Sequence, residues 1–158
     1  MAKNSFSRPK TIHDRLRFAL VASEFNPKYV DALIDRARKE LMLLAPRSSA
    51  SLYRVPGAFE IPILVRELAR QKKADGILAI GVIVKGKTDH AANLARSVTD
   101  ALQRIAIDTG VPIINAVLSL NSEAQARERC FGDKINRGTE AARAAVAITE
   151  TISELRRS

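Results

Sequence analysis

Short runs of apolar, often β-branched residues alternate along this chain with longer stretches whose apolar positions recur every three or four residues. Arg17-Phe18-Ala19-Leu20-Val21-Ala22 predicts a first buried strand. Asn26-Pro27 predicts a helix start, with Asn as N-cap and Pro in the first turn, where no N–H bond is needed. Tyr29, Leu33, Ile34, Ala37, Leu41 and Leu44 share one face, and Pro46-Arg47-Ser48-Ser49 ends that helix. Ser51 to Val55 reads as a shorter strand, broken by Pro56-Gly57. A helix follows from about Glu60 to Lys72, with Pro62 near its first turn. Gly76 to Val84 is the longest apolar run, as expected of a parallel strand covered on both faces. Leu94, Val98, Ala101, Leu102 and Ile105 mark a helix over roughly Asp89 to Thr109, which Gly110 stops. Val111 to Leu118 predicts a fourth strand. Ser122 and Gln125 stand at capping-box spacing before a short helix. A bend over Phe131 to Arg137 leads to a last helix that keeps Ala141, Ala145, Ile148, Ile152 and Leu155 on one face.

This alternation predicts a single-domain α/β fold, a three-layer α/β/α sandwich. A four-stranded parallel sheet in flavodoxin-like order carries helices on both faces. Residues 1 to about 15 are polar and read as a flexible tail or arm ahead of a domain over 16–158. At 158 residues with 46% hydrophobic content, one globular domain is expected and wholesale disorder is excluded. Charges interrupt every apolar stretch before the roughly 20 residues a membrane helix needs. The basic N-terminus lacks the apolar segment of a secretory signal. One cysteine, Cys130, allows no internal disulfide, which suits a reducing compartment, so a cytoplasmic protein is expected. The formal net charge of +9 asks for an anionic partner: a phosphorylated metabolite, nucleic acid, or nothing specific. Scattered basic residues, no Trp and few aromatics argue against dedicated nucleic-acid binding.

Ligands of open parallel sheets bind beyond the carboxyl ends of the strands. The loops expected there are Ser23-Glu24-Phe25-Asn26, Pro56-Gly57-Ala58-Phe59-Glu60, Lys85-Gly86-Lys87-Thr88-Asp89-His90 and Ser119-Leu120-Asn121. They collect two aromatics, carboxylates, a Gly-Lys-Thr and one of only two histidines. Gly81 to Thr88 also satisfies the pattern G-x-x-x-x-G-K-[ST] of a nucleotide-binding P-loop. Val82-Ile83-Val84 are stiff residues that prefer a strand to a phosphate-wrapping loop, and no acid ends the next strand to complete a magnesium site. Gly86-Lys87-Thr88 at a strand-to-helix junction can still offer backbone N–H groups to a phosphate.

Val55 to Pro62, followed by Gly81 to His90, resembles the 6,7-dimethyl-8-ribityllumazine synthases of riboflavin biosynthesis. Ser23-Glu24-Phe25-Asn26, the segment Glu123 to Arg129, and Asn136-Arg137-Gly138 match further motifs of that family in order and spacing. The resemblance implies a transferase that condenses 5-amino-6-(D-ribitylamino)uracil with 3,4-dihydroxy-2-butanone 4-phosphate, without cofactor or metal. It implies that Phe25 stacks on the pyrimidine and that Ala58, Phe59 and Glu60 contact ring and ribityl chain. The backbone of Val82 and Ile83 would meet the ring's polar edge. Gly86, Lys87 and Thr88 would seat the phosphate, together with Arg129 of a neighbouring subunit and with Arg137. His90 is the expected proton shuttle, an imidazole being the side chain that ordinarily titrates near neutrality. The family's unit is a homopentamer, in some members built into decamers or sixty-subunit icosahedral shells. The loop between the last two helices carries no insertion here, as in shell-forming members.

The chain departs from the family where aromatics usually follow the histidine, reading Ala91-Ala92-Asn93, and it has Asp89 before that histidine. Asn115, expected to bind substrate, replaces a Phe that touches the pyrimidine, Asp133 aligns with a Lys, and Cys130-Phe131-Gly132 replaces small residues. A catalytically silent, shell-forming or ligand-binding relative is the alternative that these departures raise. Each residue also has a structural reading when taken alone. His90 could cap a helix, Phe25 could pack under the first helix, and Glu60 could face a helix dipole. Arg129, Arg137, Lys85 and Lys87 could be surface charges, and Cys130 a small packed thiol.

Overall fold

Residues 18–22 and 76–83 are buried on both faces, and these two runs form the centre of the sheet. The computed structural model describes residues 7–158. In chain order it contains β1 (Arg17–Ser23), α1 (Pro27–Leu44), β2 (Ser49–Val55), a 3-10 turn (Ala58–Glu60) and α2 (Ile61–Arg70). Then follow β3 (Gly76–Val84), α3 (His90–Thr109), β4 (Ile113–Leu120), α4 (Glu123–Phe131) and α5 (Arg137–Arg157). All strand pairs are parallel, in the order β2-β1-β3-β4. Helices α1, α4 and α5 cover one face, where Leu20, Leu33, Leu41, Leu78 and Val146 share a core. Helices α2 and α3 cover the other, around Val21, Ile61, Val65, Ile77 and Val98. The three layers and the strand order are those the sequence predicted.

Several boundaries differ from the expected ones, among them the start of β2, which lies at Ser49 rather than Ser51 because Ser49 and Ala50 already pair with Arg17 and Phe18. Strand β4 begins at Ile113 rather than Val111, since Pro112 has no N–H and enters the ladder only by accepting from Ile77 N–H at 3.0 Å. It runs on to Leu120, whose carbonyl accepts from Lys85 N–H, so Ser119 and Leu120 are strand and not loop. Helix α2 starts at Ile61, because Ala58–Glu60 winds as a 3-10 turn first. Gly110 does end α3, in the left-handed conformation with φ 73°.

Helix α5 lies close enough to α1 that a Cβ on Gly138 would come within 2.5 Å of the Leu33 carbonyl oxygen. Asn136 caps α5 by accepting from Thr139 N–H at 3.1 Å, and it donates to the carbonyls of Cys130 and Gly132. Glu40, only 6% exposed, lies between Arg8 (2.9 Å) and Arg143 (2.6 Å), tying α1 to α5 and to the segment before β1. That segment is held further by Ile12 N–H to Leu44 O at 2.7 Å and by Asp14 to Arg157 at 3.1 Å. Residues 1–6 of the expected tail lie outside the described residues.

Gly138→Ala gains about 1 kcal/mol of helix propensity but drives a methyl group into immobile backbone. Thermal unfolding is expected to show Tm lowered by about 3–6 °C; a raised Tm would mean that α5 is free to move away. A second expectation concerns Glu150, whose Oε2 is buried without a hydrogen-bond partner. Burial, then the charges of Asp14 and Glu154, raise its pKa above the ordinary carboxyl value, and Arg157 opposes them. The folded state therefore holds this proton more tightly than the unfolded chain does. Stability is full at low pH and falls as pH rises from the ordinary carboxyl range through the folded pKa. Glu150→Gln should raise Tm at pH 7, with the gain shrinking towards pH 4, and an equal gain at both would exclude the charge as its cause.

Candidate active site

The β1–β3 ladder stops at the pair Ala22–Ile80, whereas β3 continues beside β4 to the pair Val84–Leu120. Gly81 is level with Ser23, the last residue of β1, and Val82 through Val84 overhang its end. Lys85 N–H bonds to β4, so alternation along the strand turns the polar groups of Val82 and Val84 to the vacated β1 side. There Asn26 donates its side-chain amide to Val82 O at 2.7 Å. Asn26 is not the side-chain cap expected for α1: its backbone is left-handed (φ 55°, ψ 54°) and its side chain reaches across the strand ends instead. Asn is one of the few non-glycine residues that tolerates this conformation.

A cavity of about 380 Å³ opens over the overhang. Its floor includes Val82, Ile83 and Val84, and Ser23, Phe25 and Asn26 come from the end of β1. Gly57, Ala58, Phe59 and Glu60 come from the turn after β2, and His90 and Leu94 from the start of α3. Seven expected site residues, Phe25, Ala58, Phe59, Glu60, Val82, Ile83 and His90, are therefore brought together. Phe25 is 69% exposed and Phe59 71%, so neither ring is packed in the core. Two rings that add little to folding yet flank a concave apolar floor are suited to hold a flat ligand. Glu60 is half-buried and His90 exposed, and they supply a carboxylate and an imidazole to the same space. Val84 and Leu94 also line the cavity; nothing in the local sequence distinguishes them from core residues.

Gly86, Lys87 and Thr88 lie in the exposed loop between Val84 and His90, where Thr88 Oγ1 accepts from His90 N–H at 3.4 Å. Gly81 to Val84 is strand, so this segment does not adopt the wrapped conformation of a P-loop. The other expected residues are not in this chain's own cavity. Asn115 donates to Thr99 Oγ1 at 3.1 Å and accepts from Val117 N–H, so its amide is engaged along the edge strand β4. Arg137 pairs with Glu140 at 2.5 Å within α5. Arg129 is half-buried in the last turn of α4 and has no ion pair among the described residues. Asp133 binds Arg36 at 2.6 Å and ties the α4–α5 loop to α1. Cys130 is fully buried, and burial pushes its thiol up to about 11, so it is a packed side chain and not a nucleophile. Among the described residues no three His, Cys, Asp or Glu are grouped to hold a metal ion, and no helix is long and apolar enough to cross a membrane.

A family model described as 6,7-dimethyl-8-ribityllumazine synthase matches residues 15–153, which spans all the cavity residues. The chain belongs to that family. Proteins of that name from three bacteria illustrate the similarity. The Mycobacterium leprae protein is 39% identical over 143 residues, covering 89% of this chain and 88% of the relative. The Halorhodospira halophila protein is 37% identical over 140 residues, with coverages of 88% and 90%. The Aquifex aeolicus protein is 35% identical over 148 residues, with coverages of 93% and 96%. The match runs from the strand before the cavity to the last helix, so fold and cavity belong to one shared framework.

Because both rings are exposed, Phe25→Ala and Phe59→Ala should each leave Tm within about 2 °C of the parent. Calorimetric unfolding checks this, and a larger loss would return the rings to a folding role.

Proposed function

We propose that this protein condenses 5-amino-6-(D-ribitylamino)uracil with 3,4-dihydroxy-2-butanone 4-phosphate. The product is 6,7-dimethyl-8-ribityllumazine, a riboflavin precursor, and phosphate and water are released. The observation that carries the reading is the meeting of Phe25, Phe59, Glu60 and His90 around one cavity at the carboxyl end of the sheet, in a chain of this family. The substrate's own amine attacks the ketone, so the protein's work is positioning, proton transfer and seating an anion. Phe25 stacks on the pyrimidine, and Ala58, Phe59 and Glu60 receive ring and ribityl chain, with Glu60 accepting from hydroxyls. The open polar edge of the β3 overhang, at Val82 and Val84, meets the ring's amide-like groups; Ile83, expected to share that role, lines the cavity while its own backbone groups face β4. His90 carries the proton from the attacking amine towards the departing oxygen.

The phosphate rests on the N–H groups of Gly86, Lys87 and Thr88, just before α3, where the helix dipole favours an anion. Arg129 of an adjacent subunit completes that seat with a charge-assisted bond, and Arg137 adds positive charge near it. Support for an assembly comes from a second, larger groove of about 660 Å³ at the open β4 edge. Ile107, Val111, Pro112, Ile113, Ile148 and Ile152 line it with apolar surface. We assign it to contact between copies in a homopentamer, because an exposed apolar groove beside an unpaired edge strand calls for a cover. Larger shells built from such pentamers are the extension of this reading. A cytoplasmic location goes with it.

The test mixes purified protein with both substrates and follows lumazine absorbance above the uncatalysed rate. His90→Ala should lower kcat by about 100-fold. Arg129→Ala should raise KM for the butanone phosphate by about tenfold, leaving that for the uracil within twofold. Absence of any protein-dependent rate, with the uracil still bound, would overturn the enzymatic reading in favour of a silent ligand-binding relative.

A further inference from the structure

Helix α4 carries Arg129, yet among its residues only Ala126 and Cys130 are buried. A helix of 9 residues is too short to hold its own shape, and so little burial does not fix its orientation. Its ends are tied instead by one side chain of α1. Tyr29, 1% exposed, donates its hydroxyl to Glu123 Oε2 at the first residue of α4. The same ring packs against Phe131, the last residue, with centroids 5.5 Å apart and planes tilted 41°. Arg36, further along α1, donates to Phe131 O at 3.2 Å. Tyr29 also stands in the first turn of α1, directly after the cavity residues Phe25 and Asn26. One turn of chain therefore both walls this subunit's cavity and holds the helix that bears Arg129.

We infer that Tyr29 and Glu123 are positioning residues for phosphate recognition, their hydrogen bond fixing α4 so that Arg129 is aimed at the phosphate of the adjacent subunit's substrate. This rests on the reading of Arg129 given above. Neither residue touches the substrate. The phenol is buried and the carboxylate is on the exposed side, so the two removals are not equivalent. Tyr29→Phe keeps the ring and its packing on Phe131, and leaves Glu123 free to be solvated. Glu123→Ala strands a buried hydroxyl, whereas Glu123→Gln keeps an oxygen acceptor.

The experiment measures KM for each substrate separately, and the Ki of inorganic phosphate as a competitor of the butanone phosphate. It compares the parent, Tyr29→Phe, Glu123→Gln, Arg129→Ala and the double variant Tyr29→Phe/Arg129→Ala. Tyr29→Phe should raise KM for the butanone phosphate and the phosphate Ki by the same factor, about fivefold, with KM for the uracil within about twofold. Glu123→Gln should stay within about twofold of the parent, since the acceptor remains. The double variant should lose no more phosphate affinity than Arg129→Ala alone, because both changes remove the same contact. If Arg129→Ala weakens phosphate and Tyr29→Phe does not, the positioning role is overturned while the Arg129 reading stands. Equal losses for both substrates in Tyr29→Phe, with a lowered Tm, would also overturn it, as the mark of general destabilisation. If Arg129→Ala leaves phosphate binding unchanged, the Arg129 reading falls and this inference falls with it.

Discussion

The staggered parallel pairing of β1 and β3 is the constraint on which the rest of this molecule depends. Parallel strands place every carboxyl end on one side of the sheet, so the loops after β1, β2, β3 and β4 must converge there. The stagger adds the shape. Because the β1–β3 ladder stops at Ala22–Ile80 while β3 runs on to Val84, a shelf of backbone is left with one open polar side. Asn26 takes up one of its carbonyls, and the remainder forms the floor under Phe25, Phe59, Glu60 and His90.

The two layers of helices serve this shelf differently. Helices α2 and α3 start at it, bringing the turn before Ile61 and the histidine at the head of α3 into the cavity. Helices α1, α4 and α5 form a unit tied by polar contacts: Glu40 between two arginines, Asn136 across three backbone groups, and Tyr29 between the ends of α4. Buried polar groups cost free energy unless paired, and paired they fix one arrangement over others. The close approach of α5 at Gly138 fixes the spacing of that unit through sterics alone.

The departures from the family have distinct consequences. Asp133, where the family has a cation, forms an ion pair with Arg36 and anchors the loop after α4. Asn115, where the family has an aromatic, is occupied by Thr99 and its own strand. Ala91 is buried against the α2–α3 core, so the small residue after His90 fits the packing there. At these three positions the side chains make internal contacts, Asp133 with Arg36, Asn115 with Thr99 and Ala91 with the α2–α3 core. Phe25 and Phe59, in contrast, remain outside the core.

The number and order of strands and helices were legible in the sequence, because period-2 and period-3.6 patterns reflect burial that each element needs on its own. The loops that form the cavity were legible for the same reason: once the strands are parallel, their carboxyl ends are known. The capping of α4 by Ser122 is local and was visible, although Gln125 returns its bond to Asn121 N–H rather than to Ser122. Roles that depend on distant partners were not legible. Asn26 before Pro27 has the sequence of a cap, and only the position of Val82 across the sheet turns its side chain elsewhere. Glu40, Tyr29 and Asn136 look like ordinary helix-face or loop residues until α5 and α4 are packed. Sequence alone determined the layers and the end of the sheet where the cavity opens, since both follow from local periodicity and strand direction. The register of β3 past β1, the ties that orient α4, and the separation of Arg129, Arg137 and Asn115 from the cavity were decided only by tertiary structure. Each is set by contacts between residues tens of positions apart, which no local pattern encodes.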